Sequence, residues 1–394
     1  MKKVLFIHHA STIGGGSYCL LNLLKEIKKD NFKPLVLLKD KGPLKEEIEK
    51  LGIEVIFFPN MHTVPYNKSL LKPSSLTRYI KVFQSLSPFK QILKDNAIDI
   101  IYLNNMMLYP YLKVSKELGI KSIIHVREHW PLDEHRFQLK YARKVVKECA
   151  DEIVAINQYS SRIFPYPKAT IVYDWIDMTS RYAPFNMQDI FGPKYKDYHI
   201  YLFTGGDSAI KGALPVIKGF SKYLKSENDR LLILGNKYTN PQINSLKTKI
   251  KFLLHKLRIR SFYEVELYHA VSIDNRIKFI PPTYYISSIL EQSYCNLSFF
   301  TIPHANLAMA ESMIMGLPTI AAKTEEAIEY SLNGKLASLF EINNTSEFKV
   351  RLQELPLIRE NLVKNIKENK NIISAMFDKK RNVEKIDTLI NRLL

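Results

Sequence analysis

PHANLAMAESMIMGLPTIAA, residues 303–322, reads as a loop, a helix, a tight turn and a buried strand. Asn306 is a candidate N-cap, and Leu307 to Met315 supplies helix formers. Gly316 ends the helix and Pro318 prevents its continuation. TIAA then begins a short apolar run of the kind a parallel sheet buries on both faces. Backbone N–H groups near Asn306 and Leu307 would face outward at the positive end of the helix dipole, where a diphosphate is stabilised. Glu311 lies one turn further in. A carboxylate there can accept both hydroxyl protons of one ribose, because it is acceptor-only with two oxygens.

Working outward, short apolar strands alternate with amphipathic helices. Residues 4–9, 34–38, 55–59, 99–103, 121–126 and 152–157 read as strands, with helices between them at 17–29 and 46–52 among others. A second series of strands occupies 199–206, 230–236, 276–282, 296–303 and 317–322. Such alternation predicts doubly wound parallel sheets. The turn- and aromatic-rich segment 178–198 marks the boundary, so the expected domains are 1–180 and 181–373, with a helix at 374–394.

Glycine-rich and charged loops follow several of these strands. The first runs into Ser11-Thr12-Ile13-Gly14-Gly15-Gly16-Ser17, where glycine lets the backbone approach a ligand and Ser17 is a candidate helix cap. It is neither G-x-G-x-x-G nor a Walker loop. The strand at 199 ends in Gly205-Gly206 and leads to Lys211-Gly212. His125-Val126-Arg127-Glu128-His129 closes another strand. That charge cluster either faces a cleft, which is the expectation, or pairs internally. His125 alternates with it and is expected in the core.

These pieces resemble the GT-B glycosyltransferases, family 4 in particular. Glu311, Ser312, Met313, Gly316, Leu317, Pro318, Ile320 and Ala321 fall on the second half of that family's donor-binding signature. Lys211 and Gly212 match its Gly-Arg-x-x-x-x-Lys-Gly pattern, and Arg127-Glu128 matches one form of its first-domain strand end. Residues 170–177, TIVYDWID, match its Val-x-Val-Ile-Tyr-Asn-Gly-Ile-Asp segment at Asp177, with Asp174 and Trp175 at the Asn and Gly positions. Two departures stand out: the family's first glutamate falls at Pro303 and its arginine at Gly206.

The resemblance implies two facing Rossmann-like α/β domains, with the last helix packed back on the first. It implies a retaining transfer of sugar from a UDP- or GDP-sugar, with no other cofactor and no metal, to a glycan or polyprenyl-linked acceptor of bacterial surface polysaccharide synthesis. Arg127, Glu128, His129 and Lys211 become the candidate catalytic residues. Gly14, Gly15, Gly16, Gly205, Gly206, Lys211, His304, Asn306, Leu307 and Glu311 become the candidate donor contacts. A nucleotide-sugar epimerase on the same scaffold and a non-catalytic partner protein are the alternatives.

Composition narrows the rest. The 394 residues suit two domains, and no apolar run approaches the length of a transmembrane helix. MKKVLFIHHA reads as a first strand rather than a leader, because its apolar run is short and no cleavage site follows. Three scattered cysteines, Cys19, Cys149 and Cys295, suggest a reducing compartment. The expected location is cytoplasmic or peripheral on the inner face of the plasma membrane.

The net charge of +18 implies an anionic partner. Residues 61–94 carry six cations and no acid, and residues 236–261 carry seven and none. The latter plots as a helix with Ile250, Leu253, Leu254 and Leu257 along one side, the composition of a helix at an anionic bilayer interface. No nucleic-acid motif accompanies the charge, so nucleic acid is not the expected partner. There is no D-x-D pair, no zinc spacing and no G-x-S-x-G.

Overall fold

A computed structural model describes residues 1–12, 14–65, 73–130, 136–165, 168–176, 185–235, 246–257, 262–283, 285–303 and 305–394. The chain divides into two compact units. One comprises Met1–Trp175 and Phe377–Leu394, the other Ile176–Met376.

In the first unit the strands are β1 (Lys2–His8), β2 (Phe32–Leu38), β3 (Glu54–Phe57), β4 (Ile100–Leu103), β5 (Lys121–Val126), β6 (Glu152–Ala155) and β7 (Thr170–Ile171). They form one parallel sheet in the order β3-β2-β1-β4-β5-β6-β7. Successive side chains on a strand point to opposite faces. Leu5, Ile7, Leu35, Leu37, Ile101 and Leu103 therefore enter one core cluster. Val4, Phe6, Val36, Leu38, Ile100 and Tyr102 enter the other. The unbroken apolar runs seen in the sequence are those of strands buried on both sides.

The second cluster is closed by the last helix, Lys379–Leu393, which inserts Val383, Ile386, Leu389 and Ile390. Asp378 caps that helix by accepting from the Arg381 N–H at 2.6 Å. Its amphipathic spacing needs an apolar surface, and the sheet supplies one. Trp175 is buried in the same cluster.

The second unit holds β8 (His199–Phe203), β9 (Asp229–Leu234), β10 (Ile277–Ile280), β11 (Cys295–Ser298), β12 (Thr319–Ala322) and β13 (Ser338–Phe340). Their order is β10-β9-β8-β11-β12-β13, again parallel. Tyr201 and Phe203 enter one face cluster, Ile200 and Leu202 the other. Residues 185–198 belong to this unit, with Met187 fully buried in its core.

Both sheets thus run third-second-first-fourth-fifth-sixth in their own count, with β7 added as a seventh strand in the first. In such sheets the connections reverse direction between the first and fourth strands. A crevice opens there at the strand carboxyl ends, and ligands bind in it. The points are β1/β4 in the first unit and β8/β11 in the second. β7 and β13 are not among the strands expected from the sequence. At two and three residues they are too short to show a period of their own.

Candidate active site

In the second unit the crevice is built from the loops after β8 and β11. Asn306 caps the helix Leu307–Ile314 as its sequence position suggested. Its carbonyl oxygen accepts from the Met309 N–H at 3.1 Å, and its amide donates to Ser298 Oγ at 2.7 Å. The cap is 2% exposed, so the end of β11 and the start of the helix are locked together. Ser312 donates to the Ala308 carbonyl at 2.7 Å, and Gly316 ends the element in the left-handed region at φ 78°. His304 lies outside the described residues.

Glu311 sits half-buried in the second turn of this helix. Burial pushes its carboxyl up to about 7, and the nearby Lys211 ammonium opposes that rise. Lys211 stands on the loop after β8. The residue is exposed, yet crowding around its ammonium lowers its pKa against the pull of Glu311. The two side chains predicted to hold opposite ends of a nucleotide are therefore electrostatic neighbours.

Two glycines explain the shape of the Lys211 loop. Gly212 has φ 82° and caps the helix Ala213–Tyr223; a Cβ there would lie 2.0 Å from the Phe299 carbonyl oxygen. Only glycine lets the β8 loop pass that close to the end of β11. Gly206, at the family's arginine position, has φ 56° and donates its N–H to the Leu234 carbonyl at 3.1 Å. A long side chain at that backbone conformation is disfavoured. The loop is further tied by Tyr263 Oη donating to the Asp207 carbonyl at 2.7 Å and the Thr301 N–H donating to the Ile210 carbonyl at 2.9 Å.

In the first unit, β1 and β4 pair in register up to Ile7 and Leu103, so His8-His9 and Asn104-Asn105 emerge side by side. Asn104 Nδ2 lies 3.0 Å from His8 Nδ1 and also donates to the Gly16 carbonyl at 3.2 Å. That arrangement places the His8 proton on Nε2, 3.0 Å from Ser17 Oγ, and Ser17 donates to the Thr12 carbonyl at 2.7 Å. Asn105 Nδ2 likewise meets His9 Nδ1 at 2.7 Å. Burial, with the charges of His9 and Arg127, drives the His8 imidazole down to about 3, so it stays neutral.

Arg127 extends this chain. Its Nε donates to Asn104 Oδ1 at 3.0 Å and its Nη1 pairs with Asp174. Of the two alternatives open to the charge cluster, facing a cleft as expected or pairing internally, Arg127 takes the internal pair with Asp174. A buried guanidinium needs such a partner. Glu128 accepts from the Met106 N–H at 2.9 Å and so holds the turn after β4; burial raises its carboxyl to about 7. His129 stacks on Tyr159 with ring centroids 4.0 Å apart. His125 is 1% exposed and shares a 2.7 Å hydrogen bond with Tyr102 Oη, as a core histidine does.

Gly14 is the N-cap of the helix Gly15–Glu26, and no side chain caps that helix. Ser17 was expected to cap it; its hydroxyl instead turns back to Thr12, because His8 holds it there. A side chain added at Gly14 or Gly15 would meet nothing, and one at Gly16 would touch His8. Asp177 lies outside the described residues. Among those residues no group of three His, Cys, Asp or Glu side chains could hold a metal ion.

Sequence reading missed His8, Asn104 and Asn105. The doublets HH and NN at two strand ends were the available signal. Their pairing becomes visible only once β1 and β4 are neighbours.

No protein-family model and no curated protein matches the sequence. Solved structures do match. HepE of Anabaena in complex with UDP-glucose superposes with a TM-score of 0.74 at 17% identity, over 100% of both chains. A glycosyltransferase from Rickettsia africae gives 0.70 at 16% over 100% of this chain and 98% of that one. A putative UDP-N-acetylglucosamine 2-epimerase from Listeria monocytogenes gives 0.59 at 12%, over 98% and 95%. With its two parallel sheets of matching strand order, the chain has the two-domain GT-B fold.

Proposed function

We propose that this protein is a retaining glycosyltransferase moving a sugar from a UDP- or GDP-sugar to a glycan or polyprenyl-linked glycan acceptor in bacterial surface polysaccharide synthesis. The observation that carries the reading is that Lys211, on the loop after β8, and Glu311, in the Asn306-capped helix after β11, are electrostatic neighbours beside the β8/β11 crevice. Likeness in fold to HepE, which binds UDP-glucose, supports it.

In this reading the ribose hydroxyls donate to Glu311, the amides at Leu307 face the diphosphate, and Lys211 neutralises charge on the departing nucleotide. Glu128 and His129 line the sugar side. Arg127 acts through Asn104 and His8 on the glycine-rich loop. Catalysis is then mainly positioning and stabilisation of leaving-group charge. An epimerase is the second reading, favoured by the likeness to the Listeria protein.

A thermal-shift screen against UDP, GDP, ADP and their sugars tests the nucleotide. A ligand at 100 times its Kd should stabilise by about 2.7 kcal/mol. Absence of any shift sinks the proposal. NMR of a UDP-sugar incubated without acceptor separates the two readings, since only an epimerase changes the sugar then.

A further inference from the structure

The helix Pro73–Gln84 of the first unit turns Tyr79 and Val82 into the core, yet leaves Leu76, Ile80 and Phe83 exposed by 56%, 49% and 41%. Their spacing of four and three residues stacks them on one face. Phe137, on the helix Arg136–Cys149, is 82% exposed. The two helices are joined at the surface by Lys113. Its Nζ lies 5.7 Å from the Phe83 ring centre and 5.1 Å from that of Tyr141, and it donates to Tyr141 Oη at 2.6 Å. Tyr141 is one turn beyond Phe137, so the apolar side chains and Lys113 share one surface.

Exposed Lys81, Lys113 and Lys140 lie beside these four apolar side chains, Lys140 one turn from Phe137 and Lys113 over the Phe83 ring. We propose that this face of the first unit docks on an anionic lipid bilayer, with Leu76, Ile80, Phe83 and Phe137 entering the headgroup layer and the cations meeting lipid phosphates. The charge selects the occupant. An apolar patch buried against another protein is ordinarily depleted of lysine, whereas an interfacial helix carries its cations beside its apolar stripe. Among the described residues no helix is long and apolar enough to cross a bilayer, so the contact is superficial. The helix Leu246–Lys256 of the second unit also exposes Ile250 and Leu253, with exposed Leu257 following it, but the residues before 246 and after 257 lie outside those described.

The proposal stands on this surface alone and does not rest on the nucleotide site. The test is sedimentation of the full chain with phosphatidylcholine vesicles, with and without about one-third phosphatidylglycerol. Binding is expected only with the anionic lipid, and to weaken steeply with added salt. Lys81→Glu/Lys140→Glu and, separately, Leu76→Ser/Ile80→Ser are each expected to weaken it by about tenfold or more. All four residues are exposed, so melting temperature and any nucleotide-induced shift should stay at parental values. Phe83→Trp should show a blue-shifted emission on binding. Failure of the parent chain to bind, binding indifferent to phosphatidylglycerol, or variants that bind like the parent would each overturn the proposal. So would a dimer or an oligonucleotide complex lost in the same variants while vesicles are ignored.

Discussion

Arg127 and Asp174 form an ion pair inside the first unit, with side chains only 9% and 12% exposed. From this pair a line of hydrogen bonds runs through Asn104, His8 and Ser17 to the backbone of the glycine-rich loop. The loop at the β1/β4 crevice is therefore held by a charge pair formed at the far end of the line.

Breaking that pair on one side leaves an uncompensated buried charge. Asp174→Asn is expected to destabilise by about 3–5 kcal/mol, and Arg127→Met/Asp174→Leu by clearly less than the sum of its single changes. Urea unfolding followed by a first-unit probe measures the cycle. Additive single effects would mean that the pair contributes nothing as a pair.

His8 is neutral in the fold, its pKa lowered from 6.5 to about 3. The unfolded chain binds the extra proton first, so the His8 contribution is complete above pH 6.5 and lost as pH falls toward 3. His125, also lowered by burial, acts in the same sense. The melting temperature should fall on acidification across this range, and less steeply in His8→Gln. Parallel profiles for parent and variant would show that His8 does not carry the effect.

Glu311 has the opposite sign. Its folded pKa of about 7 exceeds the ordinary 4.5, so the folded state holds the proton longer. The stability it confers is present below pH 4.5 and lost as pH rises through 7. Glu311→Gln should therefore raise the melting temperature at pH 8 and leave it unchanged at pH 4.5. In the same variant the nucleotide-induced shift should disappear at pH 8. The parent shift should itself shrink between pH 8 and 6, as the acceptor carboxylate is protonated.

In its proposed role Lys211 acts most as the diphosphate gains charge, so Lys211→Ala should reduce transfer more than nucleotide binding. Steady-state kinetics against isothermal titration separates the two. An equal loss in both would assign Lys211 to ground-state binding only.

Gly212→Ala should cost more than ~2 kcal/mol, since the new methyl would overlap the Phe299 carbonyl. Gly52→Ala is the control. Its φ of 72° is similarly left-handed but nothing lies within 4 Å, so it should cost about 1 kcal/mol. Equal losses in thermal denaturation would refute the close approach as the cause.

What the sequence determined by itself was local and periodic. Apolar runs such as VLFI and PLVLL placed strands, and the Asn306 cap, Gly316 and Pro318 bounded the helix that carries Glu311. Each of these depends on residues within a few positions of one another, where backbone geometry and side-chain alternation act directly. What only the tertiary structure decided was partnership across distance. Asn104 meets His8 across 96 residues and Asp174 meets Arg127 across 47. Ser17 consequently turns to Thr12 instead of capping its helix. A buried charge or imidazole takes whichever partner the sheet order brings within reach, and no spacing along the chain encodes that choice.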